Sequence, residues 1–303
     1  MADLRVNVAG VSFENPVIPA SGAFGFGHEY EKLYPLSRLG GISVKGMTRL
    51  PKAGNPPPRI AETPMGMLNS VGLQNPGIDH FIEKELPYLS GKGTRIIANV
   101  AGSTVEDCVA MAEKLENTAV DMIELNISCP NVKQGGAAFG TSCEAAAGIT
   151  EAVRKATSKP LMVKLSPNVT NITAIAKAVE AAGADAVSLI NTLLGMRIDL
   201  NSRRPVLKNN VGGMSGPAVF PIAVRMVWQV ANAVKIPVVG MGGISSGKDA
   251  IEMMMAGASA VQVGAAIFTD PYAPLKIIDG MNRWLDDHGI ASVREIVGTV
   301  QPW

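Results

Sequence analysis

A thiol between two carboxamides is the first feature of this chain that could do chemistry. The segment Asn126-Ile-Ser-Cys-Pro-Asn131 follows an apolar run that ends at Leu125. A lone cysteine is most often a small buried residue. Here the proline rigidifies the loop, and Asn126 and Asn131 supply donors and acceptors that an apolar packing position would not need. We therefore predict that a strand delivers Cys129 to a polar loop as a reactive group.

Small and polar residues also end other apolar runs that we predict to be strands. Two of them are lysines and three are asparagines, and burying such groups without partners would cost about 1–3 kcal/mol each. These side chains could cap neighbouring loops, but as a set they favour a site for a ligand rich in donors and acceptors. The set is Ser21, Lys45 with Gly46, Asn99, Asn126, Lys164, Asn191 with Thr192, Gly242 with Gly243, and Gly264.

Glycine-rich turns predict where a phosphate would bind. Gly240-Met-Gly-Gly243 and Val263-Gly-Ala-Ala266 follow the last two predicted strands. This is the usual phosphate position of a βα barrel, because glycine lets backbone amides approach phosphate oxygens closely. Gly212-Gly-Met-Ser-Gly216 could add a further amide cluster. The segment Asn69-Ser-Val-Gly-Leu-Gln-Asn75 is either a glycine-punctuated turn or a loop that wraps a flat polar heterocycle.

The elements that must position these residues alternate between short β-branched runs and Ala-rich segments of helical period, as in βα units around a parallel sheet. We predict an α/β fold, a single (β/α)8 TIM barrel over residues 1–303, with an N-terminal β-hairpin (4–8 and 11–13) at the barrel bottom. Long active-site loops, at 46–75, 131–142 and 193–216, lie at the C-terminal face. The predicted strands are 17–20, 41–44, 95–100, 122–126, 161–165, 186–190, 237–241 and 260–263, and the predicted helices are about 29–38, 76–89, 104–118, 144–157, 171–183, 217–233, 247–256 and 272–287.

Composition excludes several classes of function. The 303 residues carry a formal net charge of +1, so no global field points to nucleic acid or to an anionic membrane surface. Three cysteines cannot form a closed set of disulfides, no CxxC pair suggests zinc or an iron–sulfur cluster, and His28 and His80 have no spaced companions, so no metal is predicted. The N-terminus lacks a secretory pattern and no apolar run reaches the length of a membrane span, so we expect a cytoplasmic protein.

Six segments make the chain similar to dihydroorotate dehydrogenases, specifically to the class 1B catalytic subunit, over nearly its whole length. They occur in the order of that family and in register with the predicted strands. The resemblance implies oxidation of (S)-dihydroorotate to orotate on one bound FMN per chain, in pyrimidine (UMP) biosynthesis. The segments are Asn69-Ser-Val-Gly-Leu73, Asn126-Ile-Ser-Cys-Pro-Asn131, Val163-Lys-Leu-Ser-Pro-Asn168, Leu189-Ile-Asn-Thr192, Gly213-Met-Ser-Gly216 and Gly240-Met-Gly-Gly243.

The resemblance also implies residue roles. Cys129 matches the base that takes a proton from C5 of dihydroorotate as a hydride leaves C6 for N5 of the flavin, and Lys164 matches a lysine that stabilises charge on the reduced ring. Matching substrate-binding positions are Lys45, Asn69, Ser70, Val71, Gly72, Leu73, Asn126, Asn131, Asn191 and Thr192. Matching cofactor-binding positions are Ser21, Lys45, Gly46, Asn99, Asn126, Lys164, Ile190, Gly216, Gly242, Gly243, Gly264 and Ala265, the last of which stands where family members often carry Thr.

A partner subunit is implied as well. The chain has no cysteine cluster for an iron–sulfur centre and no convincing strand–GxGxxG–helix unit near its start. The resemblance therefore implies a second subunit with FAD and a [2Fe-2S] cluster, which reduces NAD⁺, around a homodimer core within a heterotetramer. We expect an exposed apolar patch for this subunit.

Three alternatives stay open from the sequence. Two are related flavin enzymes, a fumarate-using class 1A dihydroorotate dehydrogenase and a dihydropyrimidine dehydrogenase-like reductase. The loop after Cys129 and the segment 165–168 favour the 1B form over class 1A. The third is a non-catalytic barrel that binds a phosphate ligand, which would leave Cys129 and Lys164 unexplained.

Overall fold

Short strands and helices alternate along much of the described chain, with runs of successive strands at residues 6–19 and 186–215. The computed structural model describes residues 2–128 and 139–303. The strands are β1 (Val6–Val8), β2 (Val11–Phe13), β3 (Val17–Pro19), β4 (Gly41–Ser43), β5 (Ile60–Thr63), β6 (Gly66–Asn69), β7 (Arg95–Val100), β8 (Met122–Asn126), β9 (Leu161–Lys164), β10 (Ala186–Leu189), β11 (Leu193–Gly195), β12 (Ile198–Asp199), β13 (Arg204–Pro205), β14 (Gly212–Ser215), β15 (Val238–Met241) and β16 (Ala260–Val263).

The helices lie between the parallel strands. They are α1 (His28–Glu31), α2 (Ile78–His80), which continues through a π-helical turn (Phe81–Glu85) into α3 (Leu86–Ser90), α4 (Val105–Glu116), α5 (Cys143–Ala156), α6 (Ile172–Ala181), α7 (Phe220–Ala231), α8 (Gly247–Met255), α9 (Ala266–Thr269) and α10 (Ala273–Asp287). Single 3₁₀ turns occur at Leu36–Arg38, Pro217–Val219 and Val293–Ile296. Within the described ranges, no helix combines the length and the apolar character that crossing a membrane requires.

Eight parallel strands form the central sheet, in the order β3-β16-β15-β10-β9-β8-β7-β4. Its two edge strands meet, since the Gly40 N–H donates to the Val17 carbonyl at 3.1 Å, and the sheet closes into a nearly complete barrel. Strands such as β9 and β16 are buried along their whole length, which explains why each is apolar except for one polar residue near its carboxyl end, because helices and barrel interior cover both faces. The predicted eight-stranded barrel is confirmed.

The N-terminal hairpin β1–β2 lies against the amino ends of the barrel strands. Phe13 is almost fully buried, and its ring fills the space beside Gly41, the first residue of β4. The Arg95 side chain, at the start of β7, donates from Nε to the Ser12 carbonyl at 2.9 Å. The hairpin therefore covers the barrel bottom, as predicted.

Two loops that we predicted to be irregular contain strands. Strands β5 and β6 from the first loop join β11 and β14 from the second in a four-stranded antiparallel sheet of order β11-β14-β6-β5, called the inserted sheet below. Strands β12 and β13 form a separate two-stranded ribbon. The hydrophobic pattern of the sequence did not predict these strands for two reasons. Strands β6 and β14 contain glycines, which weaken strand propensity, and paired residues such as Asn69 and Gly213 are far apart in the sequence.

The first predicted helix, 29–38, was also wrong in its extent. Only α1 and the 3₁₀ turn Leu36–Arg38 are helical there. Pro35 separates them, with an extended backbone at ψ 130°, because a proline disfavours the helical conformation of the residue before it and donates no hydrogen bond.

Helices α8 and α10 pack closely enough to require glycine at their contact. A Cβ atom added at Gly247 would lie 2.5 Å from the backbone carbon of Gly280. We predict that Gly247→Ala lowers the free energy of unfolding by about 1–3 kcal/mol, because the methyl group overpacks two backbones that cannot move apart freely.

The matched control is Gly148→Ala, within α5. A Cβ there would meet no atom within 4 Å, so this change should raise stability by about 0.5–1 kcal/mol through helix propensity alone. Urea unfolding of both variants measures the difference, and equal midpoints would contradict this account of the α8–α10 contact.

Candidate active site

A cavity of about 230 Å³ opens at the carboxyl ends of the barrel strands. Most of the predicted site residues meet in its wall, although they come from segments spread over the whole chain. Those in the wall are Ser21, Lys45, Gly46, Asn69, Val71, Gly72, Leu73, Asn126, Lys164, Ile190, Asn191, Thr192, Gly216, Gly242, Gly243, Gly264 and Ala265. The carboxyl ends of parallel strands share one face of a barrel, which is why residues that end different strands lie together in this wall.

Ser70 does not lie in the wall, and its role as a substrate contact stays a prediction. It is buried behind the pocket, where its N–H donates to the Arg59 carbonyl at 2.8 Å. Side chains alternate along an extended chain, so Asn69 and Val71 face the pocket while Ser70 faces away.

Asn99 is also absent from the wall and lies behind Gly46. A Cβ added at Gly46 would come within 2.8 Å of the Asn99 Oδ1. The side chain of Asn99 thus supports the wall from below. Cys129 and Asn131, the two remaining predicted residues, lie outside the described residues, so their roles stay predictions.

The wall contains residues that our sequence reasoning missed. Ile60, Met67 and Met214 come from the inserted sheet, which gave no periodic signal, and they add apolar surface to the pocket. Gln262, one residue before the end of β16, also lies in the wall. Its polar side chain inside an apolar strand was a signal that could have found it.

The polar floor beneath the pocket centres on Glu124, a further residue that the sequence analysis did not select. Its side chain is fully buried on β8. The carboxylate accepts four hydrogen bonds, one from each of four other barrel strands. The donors are Ser43 Oγ at 2.8 Å, Asn99 Nδ2 at 2.5 Å, Ser188 Oγ at 2.8 Å and Gln262 Nε2 at 2.8 Å.

Glu124 is ionised despite its burial. Burial alone would raise its pKa, but the charge of Lys164 and the hydrogen bonds from serine and amide donors outweigh that effect and hold the pKa below its usual value. Lys164 is itself only 5% exposed and lies in the pocket wall. The buried carboxylate of Glu124 in the floor and the ammonium group of Lys164 in the pocket wall therefore stabilise each other.

A one-way row of hydrogen bonds runs from the rim to Glu124. Asn191 Nδ2 donates to Ser128 Oγ at 2.8 Å, and Ser128 Oγ donates to Asn126 Oδ1 at 2.9 Å. Asn126 Nδ2 donates to Asn99 Oδ1 at 3.3 Å, and Asn99 donates in turn to Glu124. An ionised carboxylate only accepts hydrogen bonds, so it fixes the donor–acceptor direction of every amide in the row.

The glycine-rich turns form another part of the pocket wall. Gly216 and Gly243 have φ values of +109° and +77°, and a Cβ at Gly243 would lie 2.8 Å from the Gly216 carbonyl oxygen. Any larger residue would be strained in conformation and would push the two turns apart. The turns therefore bring two stretches of backbone together, as required of an anion-binding end.

Comparisons with known proteins show the family of this chain. The family model described as dihydroorotate dehydrogenase matches residues 3–285. A protein of Bacteroides thetaiotaomicron named dihydroorotate dehydrogenase B (NAD(+)), catalytic subunit, is 56% identical over 99% of this chain and 100% of its own length. Proteins of the same name from Parabacteroides distasonis and Alkaliphilus metalliredigens are 56% and 54% identical, over 99% and 98% of this chain and 99% of each relative.

A solved structure shows the same fold at much lower sequence identity. It is a crystal structure of DHODH from Eimeria tenella in complex with ferulenol, with a TM-score of 0.82 and 23% identity, over 98% of this chain and 88% of that one. The chain belongs to the dihydroorotate dehydrogenase family.

Proposed function

We propose that this chain is the catalytic subunit of an NAD⁺-linked dihydroorotate dehydrogenase of class 1B. It oxidises (S)-dihydroorotate to orotate in pyrimidine biosynthesis, with FMN as the first electron acceptor. The single observation that carries the proposal is the pocket itself, whose wall combines a nearly buried Lys164, a directed row of amides and two glycine-rich turns.

The residues of the pocket fit FMN. The turns at Gly216 and Gly242–Gly243 and the chain at Gly264–Ala265 would hold its phosphate through backbone amides. Lys164 would lie at the pyrimidine edge of its ring as a fixed cation. Gln262 supports a polar ligand independently, because its Oε1 atom is buried with no hydrogen-bond partner among the described residues. When bound, the flavin supplies the hydride acceptor, N5 of its ring.

The amide row would hold the dihydroorotate ring. Asn126, Asn191 and Asn69 lie in the pocket wall with Lys45, a half-buried lysine. Lys45 would hold the substrate carboxylate, while the carboxamides would hold the N–H and C=O groups of the ring. Because the row ends on Glu124, the amides are oriented before the substrate arrives, which lowers the cost of ordering them on binding.

Cys129 would be the base of the reaction. Its thiolate would take the proton from C5 of dihydroorotate, and the bond between C6 and its hydrogen breaks with the electron pair leaving as hydride. A double bond between C5 and C6 remains in orotate. A thiolate needs donors or positive charge nearby, and Asn126, three residues before Cys129, belongs to the oriented row.

Electrons would leave through a partner subunit with FAD and a [2Fe-2S] cluster, around a homodimer core within a heterotetramer. The relatives are named as catalytic subunits, which implies a separate partner for those proteins. Exposed apolar side chains on the inserted sheet, its turns and the β12–β13 ribbon offer the patch expected for this subunit. They are Ile60, Met65, Leu194, Met196, Ile198 and Leu200. The odd number of cysteines fits a reducing cytoplasm as the location of the assembly.

Cys129→Ala should keep its FMN but lose nearly all reduction of the flavin by dihydroorotate, because the base is removed while the phosphate end stays intact. The measurement is the flavin absorbance spectrum and the rate at which dihydroorotate bleaches it without air. Cys143→Ala is the matched control, because Cys143 is exposed at the start of α5. A wild-type chain that neither binds FMN nor bleaches would refute the proposed function. Bleaching of the Cys129 variant at the wild-type rate would refute only the assignment of Cys129 as the base.

Lys164→Met should slow flavin reduction at least tenfold, since a low-dielectric site amplifies the loss of a cation beside a ring that becomes negative. Methionine keeps most of the side-chain volume. Lys84→Met, at an exposed lysine, is the control and should behave as wild type. Stopped-flow absorbance gives both rates. Equal flavin content with equal rates in the two variants would remove Lys164 from the mechanism.

The purified chain alone should pass electrons from dihydroorotate to an artificial dye but not to NAD⁺. The physical reason is that hydride transfer from FMN to NAD⁺ would need a dinucleotide site, which the proposal assigns to the partner. Parallel assays with dye, NAD⁺ and fumarate separate the cases. Rapid NADH formation by this chain alone would contradict the partner, and rapid turnover with fumarate would move the enzyme to class 1A.

A further inference from the structure

The side chain of Gln262 carries an acceptor that the protein leaves unused. Gln262 lies in the pocket wall on β16 and is 1% exposed. Its Oε1 atom is buried and has no hydrogen-bond partner among residues 2–128 and 139–303. A buried carbonyl oxygen without a donor is destabilising, and native proteins leave few of them. An unpartnered acceptor in a pocket wall points to a donor supplied by the ligand.

The orientation of this amide is fixed by Glu124. Gln262 Nε2 donates to Glu124 Oε1 at 2.8 Å. Turning the amide over would place its oxygen against a carboxylate that has no hydrogen to give. Glu124 thus acts as a positioning residue that holds Nε2 as the donor and keeps Oε1 available as an acceptor.

The position of Gln262 in the pocket indicates which part of the ligand would form a hydrogen bond with it. Gln262 precedes Gly264 by two residues and is the register partner of Met241, which Gly242 follows directly. It therefore lies just below the phosphate end and on the floor side of the wall. In FMN, the polyol chain joins the phosphate to the ring and carries three hydroxyl groups, each a hydrogen-bond donor.

We propose that Gln262 binds FMN by accepting a hydrogen bond at Oε1 from a hydroxyl of its ribityl chain. The proposal rests on the proposed function, because it takes FMN as the ligand. It adds a specificity role, since Gln262 would distinguish FMN from flavin phosphates that lack that hydroxyl. The phosphate turns, which contact only the far end of the molecule, would not make this distinction.

The test titrates the full chain, stripped of flavin, with FMN and with its 2′-, 3′- and 4′-deoxy analogues, following the quenching of flavin fluorescence. Wild type should bind one analogue about tenfold more weakly than FMN, as expected for one lost hydrogen bond to a buried acceptor. Gln262→Met should bind FMN about tenfold more weakly and should no longer distinguish FMN from that analogue.

Ser43→Ala is the matched control. Ser43 is another buried donor to Glu124, so this change also removes one hydrogen bond from the carboxylate, but Ser43 is not among the residues of the pocket wall. The Ser43→Ala variant should keep the wild-type ratio between the dissociation constants for FMN and for the weakly bound deoxy analogue. The same ratio in Gln262→Met as in wild type would overturn the proposal.

Wild type alone also decides the question if the Gln262 variant fails to fold. Equal affinity for FMN and all three analogues would overturn the role of Gln262 while flavin bleaching by dihydroorotate still supported the proposed function. A wild-type chain that does not bind FMN would overturn both.

Discussion

The arrangement of this barrel depends on one buried carboxylate. Glu124 connects its own strand to four others through hydrogen bonds from Ser43, Asn99, Ser188 and Gln262. An ionised group in a protein interior is costly unless its hydrogen-bonding capacity is filled. The strands must therefore close in one register for the cost to be met, so the same interaction that specifies barrel closure also sets the floor of the pocket.

The charge of Glu124 also explains the polarity of the site. Because the carboxylate accepts from Asn99, that amide presents its oxygen to Asn126, and the direction is passed on through Ser128 to Asn191 at the rim. A neutral group at the floor would leave each amide free to turn. A single anion thus orders donors and acceptors across three barrel strands before any ligand binds, which is the condition for electrostatic preorganisation.

Sequence reasoning predicted those parts of the molecule that follow a local rule. Eight apolar runs gave the barrel, and reading the end of each run gave part of the pocket wall, including Lys164 and Asn191. The inserted sheet was not predicted, because its register is set by contacts between distant, glycine-containing segments. The direction of the Ser70 side chain could not be predicted, because the extended backbone that turns it away from the pocket is not evident in a segment read as a loop. The role of Glu124 could not be predicted, because its four hydrogen-bond donors lie on strands that are far apart in the sequence.

The pocket wall combines two kinds of structure with different stability. Its polar groups stand on barrel strands that are buried along their whole length, as in β8 and β9. Its apolar groups Ile60, Met67 and Met214 stand on the inserted sheet, where β5 alternates between exposed and half-buried positions. Local opening is easiest where few apolar contacts are buried. Most of the groups that require a fixed orientation, such as Asn126 and Lys164, therefore lie on the more buried barrel strands, while Asn69 and the apolar surface lie on the less buried inserted sheet.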